Sequence, residues 1–365
     1  MDLARACELL DDDPIASAAE AGLRYVSDEA PGYGRRRRGR GFSYVDAKGR
    51  GVTSPRLRQR FDALAIPPAW TEVWICRNPR AHLQATGRDE AGRKQYIYHP
   101  LWRAARDRYK YDRVVAFGTL LPRIRERVCH DLESESGLTR KRVLASVVRL
   151  LETTLIRVGN DEYARKNESY GLTTLRKKHV EHDDERSEVR FEFEGKSGRE
   201  WSVAIDDPHL VEVIVDCLET PGHELFKYFD DEGHRCSVSS DEVNAYLRDI
   251  AGAKVSAKDF RTWAGTVKAA VALEELAQQE PEVKHEKRVV RAIAQVAEEL
   301  GNTPSICRSS YVHPAVLAED SISLDDPALQ EGLQRTLQHA AEALEAEEVA
   351  VLSFLEEKVA ASESS

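Results

Sequence analysis

Alternating apolar runs confined to the first hundred residues, helical periodicity over most of the remainder, and a sharp change of charge along the chain predict an α+β protein. Its small β-rich N-terminal domain precedes a mainly α-helical domain that carries one β-hairpin. The chain has 365 residues, 41% of them hydrophobic, enough to bury two cores of ordinary size. The expected divisions are an acidic leader with a short helix (1–34), the β-rich domain (35–100), the helical domain (101–317) and an acidic, helix-prone tail (318–365).

Charge separates these segments. The formal total is −10, yet residues 35–113 hold 20 Lys and Arg against 7 Asp and Glu, while residues 316–365 hold 2 against 12. A basic domain inside an acidic chain points to a polyanionic partner, of which nucleic acid is the commonest. No apolar run approaches the roughly 20 residues of a membrane span, and the N-terminus MDLARACELLDDDP is acidic where a signal peptide is basic. A cytosolic protein is the expectation. The six cysteines form no C-x-x-C pair, so free thiols are expected.

The β-rich domain opens with RRRRGRGFSYVDAKGRGV, which reads as a basic arm running into a hairpin, the Phe42, Tyr44 strand turning at Asp46 to Gly49. ALAIPPAWTEVWIC ends in alternation around Val73 and Ile75. HLQATGRDEAGRKQYIYHP has a polar turn at Gly87 to Gly92 and then alternates through Gln95, Tyr96, Ile97 and Tyr98. In that last strand an amide and two phenols stand among basic residues. Gln pairs bidentately with adenine, and aromatic faces pack on base or sugar, so Gln95, Tyr96 and Tyr98 are candidate DNA contacts. Alternation sends residues 95 and 97 to one face and 96 and 98 to the other, so one face must serve the core.

Helical spacing begins at Leu101, with breaks expected at Pro122 and Gly137. In VLASVVRLLETTLIRVGN the apolar positions Val143, Leu144, Val147, Leu150, Leu151, Leu155 and Ile156 share a face, and Arg157 falls where that helix ends. HVEHDDERSEVRFEFEGKSGREWSVAIDD reads as a hairpin with Lys196 at its glycine-bracketed tip. Its GKS string is no phosphate loop, since the first glycine of that motif would fall at position 190, where Arg190 stands. His179, His182, His223, His234 and Cys236 lack zinc spacing. Further helices follow: one stopped at Pro221, one capped by Ser240, one with Ser256 as N-cap and Arg261 in its second turn, and EKRVVRAIAQVAEEL ending at Gly301. LGNTPSICRSSYVHP then sets Thr303 as N-cap and Pro304 at the first helical position. Pro314 disfavours helix at His313, which leaves Tyr311 at the helix end. The Glu-rich tail, with Leu333, Leu337, Leu344, Val351, Leu352 and Leu355 at mixed spacing, reads as a solvated appendage.

Arg157, Lys196, Arg261, Asn302 and Tyr311 remain as the marked polar residues. A tyrosine, two arginines and a lysine are what a metal-free phosphodiester transesterification needs. A phenol ionises near pH ~10, so as a nucleophile it requires neighbouring positive charge. Guanidiniums brace the nonbridging oxygens of the transition state, a lysine protonates the leaving oxygen, and an asparagine donates one further hydrogen bond.

In order and local sequence these residues resemble the type IB DNA topoisomerases, in the small poxvirus-like branch found in bacteria. The stretches that carry the resemblance are LIRVGNDEYARKNESYGLTTLRKKHVE, FEFEGKSGRE, KDFRTWAG and LGNTPSICRSSYVHP, with GRGFSYVDAKGRGV, LAIPPAWTEVWIC and LQATGRDEAGRKQYIYHP in the N-terminal part. The resemblance as a whole covers about residues 20–317. The resemblance implies a clamp of two domains round double-stranded DNA, acting as a monomer and, in the cytoplasm, on the nucleoid. It implies Tyr311 as the nucleophile that becomes joined to a 3′ phosphate, Arg157 and Arg261 as the paired arginines, and Lys196 as the general acid. Lys258 matches a basic residue of the same motif, Tyr163 a DNA-contacting position, and Gln95, Tyr96 and Tyr98 the strand that enters the major groove. Many family members have histidine at the position of Asn302; asparagine can donate to the phosphate but cannot titrate. The acidic tail departs from the compact viral form. Exchange of one phosphoester for another conserves the bond energy, so no cofactor is expected, neither ATP nor metal.

Two other readings stay open on sequence grounds. A tyrosine recombinase resembles the same active site, although histidine is typical three residues before its second arginine, where this chain has Lys258, and its N-terminal domain is helical. A non-catalytic DNA-binding protein would account for the basic segment alone.

Overall fold

A computed structural model describes every residue except 12, 40, 135, 320–343 and 364–365. The chain forms two compact units, Asp12–Tyr111 and a larger one made of Met1–Asp11 with Asp112–Ser365. The division falls at 111/112, inside a helix, and the first helix, α1 (Leu3–Leu10), belongs to the larger unit.

The smaller unit holds α2 (Pro14–Glu20), α3 (Pro55–Ala63) and strands β1 (Tyr33–Arg38), β2 (Gly41–Val45), β3 (Thr71–Ile75), β4 (Leu83–Arg88) and β5 (Lys94–Tyr98). The strands make one antiparallel sheet in the order β2-β1-β3-β4-β5. Phe61 of α3 is fully buried with Ile75 and Ala85, and the rings of Tyr33 and Tyr44 close on it at 5.1 and 4.8 Å. The arginine run expected as an arm is therefore a correction: residues 35–38 form most of β1 and pair with β2, while Tyr33 and Gly34 join the same strand to β3. Arg35 donates to the carbonyls of Ile66, Pro67 and Trp70 at 2.8 Å each, and its guanidinium lies 4.1 Å from the Phe42 ring centroid. Its charge is spent on loop closure, whereas Arg36, Arg37 and Arg38 are exposed.

Helix α4 (Pro100–Glu133) spans the division, and the larger unit continues through α5 (Arg140–Thr154), α6 (Asp161–Asn167), β6 (Val180–Asp183), β7 (Glu188–Gly195), β8 (Arg199–Ile205), α7 (Pro208–Glu219), β9 (Lys227–Phe229), β10 (Arg235–Ser237) and α8 (Ser240–Ala251). It continues through α9 (Ala257–Gln279), α10 (His285–Leu300), α11 (Pro304–Ser310), α12 (Pro314–Ala318) and α13 (Ala346–Glu363). The expected hairpin is present as β7 and β8 with β6 added at one edge. Its predicted alternation is met by the pairs Val189 with Ile205, Phe191 with Val203 and Phe193 with Trp201. Helix α9 packs on α5, α10, α12 and α13 and so lies at the centre of the helical core.

Three expectations need correction here. Pro122 does not break the helix, because Val114 to Leu121 on one side and Ile124, Val128 and Leu132 on the other enter the same core. Burial at roughly 1.5–3 kcal/mol per large apolar side chain outweighs a helix-interior proline cost of about 3 kcal/mol. The cap of α8 is Ser239, not Ser240, since only residue 239 stands three positions before Glu242 and closes a reciprocal capping box with it. Helix α13 is no solvated appendage: Val349, Ala350, Val351, Leu352 and Leu355 are buried, and a helix apolar over so much of its surface packs inside. Leu333 and Leu337 lie outside the described residues.

Candidate active site

The end of α5, α6, the β7–β8 turn, α9 and the end of α11 converge on one cavity of about 370 Å³. Its walls include Arg157, Tyr163, Lys196, Lys258, Arg261 and Tyr311, together with Tyr170, Asn160, Ser169 and backbone at Gly159 and Gly171. Four of these residues are cationic, and the lining contains no Asp or Glu. Such a cavity is built to take an anion beside a phenol.

Arg157 is placed by the end of α5. Leu155 takes the left-handed conformation at φ 56° and ends the helix, and the chain then runs extended past Arg157. That stretch is tied by Leu172 N–H to the Arg157 carbonyl at 2.9 Å and Thr173 N–H to the Val158 carbonyl at 2.7 Å. Gly171 permits the approach, since a Cβ there would lie 2.5 Å from the Arg157 carbonyl oxygen. The Arg157 guanidinium donates through Nη2 to the Gly301 carbonyl at 3.0 Å and to Oδ1 of Asn302. Its Nε and Nη1 protons have no partner among the described residues.

Arg261 is 3% exposed. It donates to the carbonyls of Leu155 and Leu300, and its Nε is buried with no partner among the described residues. The α5 end thus holds both arginines, Arg157 by chain continuity and Arg261 through the Leu155 carbonyl. Burial first, then the neighbouring Arg157, lowers the Arg261 pKa to about 10, against the pull of the Tyr311 phenol. Burial likewise lowers that of Arg157, with Arg199 adding to the effect and Tyr311 opposing it.

Tyr311 follows α11 as its C-cap residue, and the helix is capped by Thr303 with Pro304 in its first turn, as the sequence indicates. The Arg261 guanidinium stands 5.3 Å from the Tyr311 ring centroid. Close seating of Tyr311 on α9 depends on Gly265, where a Cβ would lie 2.6 Å from the Tyr311 carbonyl oxygen and 3.3 Å from its Cβ. Thr266 secures the other side: its hydroxyl donates to the Thr262 carbonyl at 2.8 Å, accepts from His313 N–H at 3.1 Å and lies 3.4 Å from the Tyr311 carbonyl oxygen.

Lys196 occupies the β7–β8 turn, where Ser197 and Gly198 both have positive φ, and its Nζ lies 5.6 Å from the Tyr163 ring centroid. Lys258 is exposed on the first turn of α9, one turn before Arg261. Asn302 is not part of the wall. Its Oδ1 accepts from Arg157, and its Nδ2 is buried without a partner among the described residues, so in this structure it meets the site through Arg157.

Gln95, Tyr96 and Tyr98 lie in the other unit, on β5. Gln95 donates to Asp89 at 2.9 Å, Tyr96 is 46% exposed and stacks on Tyr98 at 5.9 Å, and Ile97 supplies the core-facing position that alternation requires. Two contributors escaped the sequence reading. Gly265 has no local signal, because its need comes from a residue 46 positions later. Arg199 had one, standing opposite Gly195 at the root of the Lys196 turn; it lies over Trp201 at 5.0 Å, and its stem packs against Gly301.

The signature described as the eukaryotic DNA topoisomerase I catalytic core matches residues 99–326. The chain belongs to the type IB DNA topoisomerases. The signature of the bacterial DNA topoisomerase IB N-terminal domain matches residues 41–89 of the same chain. Among relatives, the DNA topoisomerase 1B of Acanthamoeba polyphaga mimivirus is 30% identical over 261 residues, 70% of this chain and 77% of the viral protein. The DNA topoisomerase 1B of vaccinia virus (strain Copenhagen) and the DNA topoisomerase I of monkeypox virus are each 25% identical over 258 residues, 70% of this chain and 76% of theirs. The chain is thus an isomerase of the poxvirus-like type IB class, and the recombinase and binding-only readings fall away. Among the described residues, no helix of this topoisomerase is long and apolar enough to cross a membrane.

Proposed function

We propose that this topoisomerase relaxes supercoiled duplex DNA by a cleavage and religation cycle centred on Tyr311. The observation that carries the reading is the grouping of four cations, with no carboxylate, round the Tyr311 phenol. The Tyr311 phenol oxygen attacks the phosphorus of the scissile phosphodiester and gives up its proton to solvent, while the cations stabilise the negative charge of the transition state. Arg157 and Arg261 donate their unused N–H groups to the nonbridging oxygens as the trigonal-bipyramidal transition state forms. The bond to the 5′ oxygen breaks, and Lys196, at the tip of its turn, delivers a proton to that oxygen, with Lys258 supporting the charge. Asn302 orients Arg157 by accepting its guanidinium hydrogen bond through Oδ1.

The product is a 3′-phosphotyrosyl ester and a free 5′ hydroxyl, so one phosphoester replaces another and no ATP is consumed. The cut strand rotates about its partner, and the 5′ hydroxyl attacks the phosphotyrosine to reseal the strand. Gln95, Tyr96 and Tyr98 approach base edges and sugars in the major groove while Tyr163 contacts the duplex beside the cavity. The two units act as a clamp round the duplex, one monomer per site, in the cytoplasm on nucleoid DNA. A plasmid-relaxation assay in EDTA without ATP tests the chemistry. Wild-type protein is expected to relax the plasmid and Tyr311→Phe to bind it without relaxing it; relaxation by Tyr311→Phe at the wild-type rate removes Tyr311 from the mechanism.

A further inference from the structure

We infer that the acidic C-terminal helix α13 positions the two catalytic arginines, with Glu348 as the residue that transmits the constraint; the inference rests on the roles given above to Arg157 and Arg261. Helix α13 lies beyond residues 99–326 that match the family's catalytic core. It nonetheless packs on α9, the helix of Arg261. Glu348 is 8% exposed, and a carboxylate so deeply buried persists only when it is fully paired. Its Oε1 accepts from the indole N–H of Trp263 at 2.8 Å, two residues beyond Arg261. The same carboxylate takes both terminal nitrogens of Arg125, at 2.7 and 3.0 Å, and Arg125 also donates through Nε to Glu152 at 2.5 Å.

Glu152 belongs to the last turn of α5, one turn before Leu155. The Leu155 carbonyl holds Arg261, and Arg157 follows two residues later. Glu348 therefore pins α9 directly and α5 through Arg125, the two elements whose relative position sets the spacing of the arginines. The carboxylate also accepts from Glu345 N–H at 3.0 Å, which fixes the start of α13 to the same point. The Trp263 ring and Leu352 close on Gly118 of α4, leaving no room for the helices to slide. Glu348 touches no residue of the cavity wall except through these links, so it is a positioning residue and not a catalytic one.

Loss of a positioning contact leaves ground-state binding intact and weakens the transition state alone, which slows cleavage and religation by the same factor. A merely structural contact behaves differently: it lowers the fraction of active protein, and so the burst amplitude, at an unchanged rate constant. Single-turnover cleavage and religation of a nicked duplex with excess protein separate the two. Glu348→Ala is expected to lower both rate constants by about tenfold or more, at unchanged DNA affinity and with full amplitude. Glu348→Gln, which keeps an acceptor for Trp263 and loses the charge facing Arg125, is expected to fall between, and it decides alone if the alanine variant does not fold. Rate constants within twofold of wild type, with or without a fall in amplitude or melting temperature, overturn the inference. Arg261→Ala serves as the control: if it cleaves at the wild-type rate, the assignment of the arginines has failed and not the link to α13.

Discussion

The buried polar groups of this topoisomerase are arranged around two needs, holding cations and keeping donors unused. Arg157 and Arg261 each spend two N–H groups on backbone carbonyls or Asn302, and the Arg261 Nε and the Asn302 amide are buried without partners among the described residues. Unpaired buried donors cost about 1–3 kcal/mol each unless a ligand satisfies them, which is the expected signature of a site completed by its phosphate. His179 shows the opposite arrangement, an uncharged group serving structure. It is 8% exposed, its Nδ1 accepts from Arg176 N–H at 3.1 Å, and its ring lies 4.4 Å from that of Tyr170 on the cavity wall. Burial, then Lys178 and Arg176, lower its pKa from 6.5 to about 4. Between those values the unfolded chain binds the proton and the native one does not, so the stability from neutral His179 is present above pH 6.5 and lost as pH falls toward 4. The slope approaches about 1.4 kcal/mol per pH unit. Urea midpoints at pH 4.5, 5.5 and 7 are expected to fall less steeply with acidification for His179→Asn than for wild type; parallel slopes would exclude the assignment.

At the scale of elements, the seating of α11 on α9 decides whether the proposed nucleophile meets its cations. Gly265→Ala puts a methyl group 2.6 Å from the Tyr311 carbonyl oxygen and must displace the tyrosine from Arg261. The expected result is a cleavage rate constant reduced by at least about tenfold with DNA affinity retained, since displacement by ~1 Å is enough for such losses. Wild-type cleavage by that variant would show that the contact is slack. Much of this layer was legible beforehand. Thr303 with Pro304, Ser256 and the alternation of the β7–β8 hairpin each follow from local rules of capping and pleating. What was hidden depends on distant partners: Pro122 stays helical because of the core on both sides, Gly265 answers to Tyr311, and the arginines of β1 are held by pairing with β2. The apolar residues of α13 were visible, but their mixed spacing among glutamates gave no sign of burial, and nothing local marked Glu348 as the partner of Arg125 and Trp263. The five catalytic candidates themselves were legible because their chemistry is specific, although Asn302 proved to face Arg157.

For the whole molecule, a formal charge of −10 conceals a +13 segment at residues 35–113. Duplex binding through that surface releases counterions, so log Kd is expected to rise with log salt at a slope of about 0.9 per phosphate neutralised. Replacing Arg36, Arg37 and Arg38 with alanine is expected to flatten the slope while leaving the cleavage rate constant at saturation unchanged, because those exposed side chains are far along the sequence from the catalytic set. An unaltered slope would mean that β1 does not touch the backbone. The central claim concerns one bond. A duplex cut so that the 5′ product diffuses away traps the covalent complex, and proteolysis followed by mass spectrometry identifies the residue joined to the DNA. The 3′ phosphate is expected on Tyr311; attachment to any other residue, or to the 5′ end, would contradict the account.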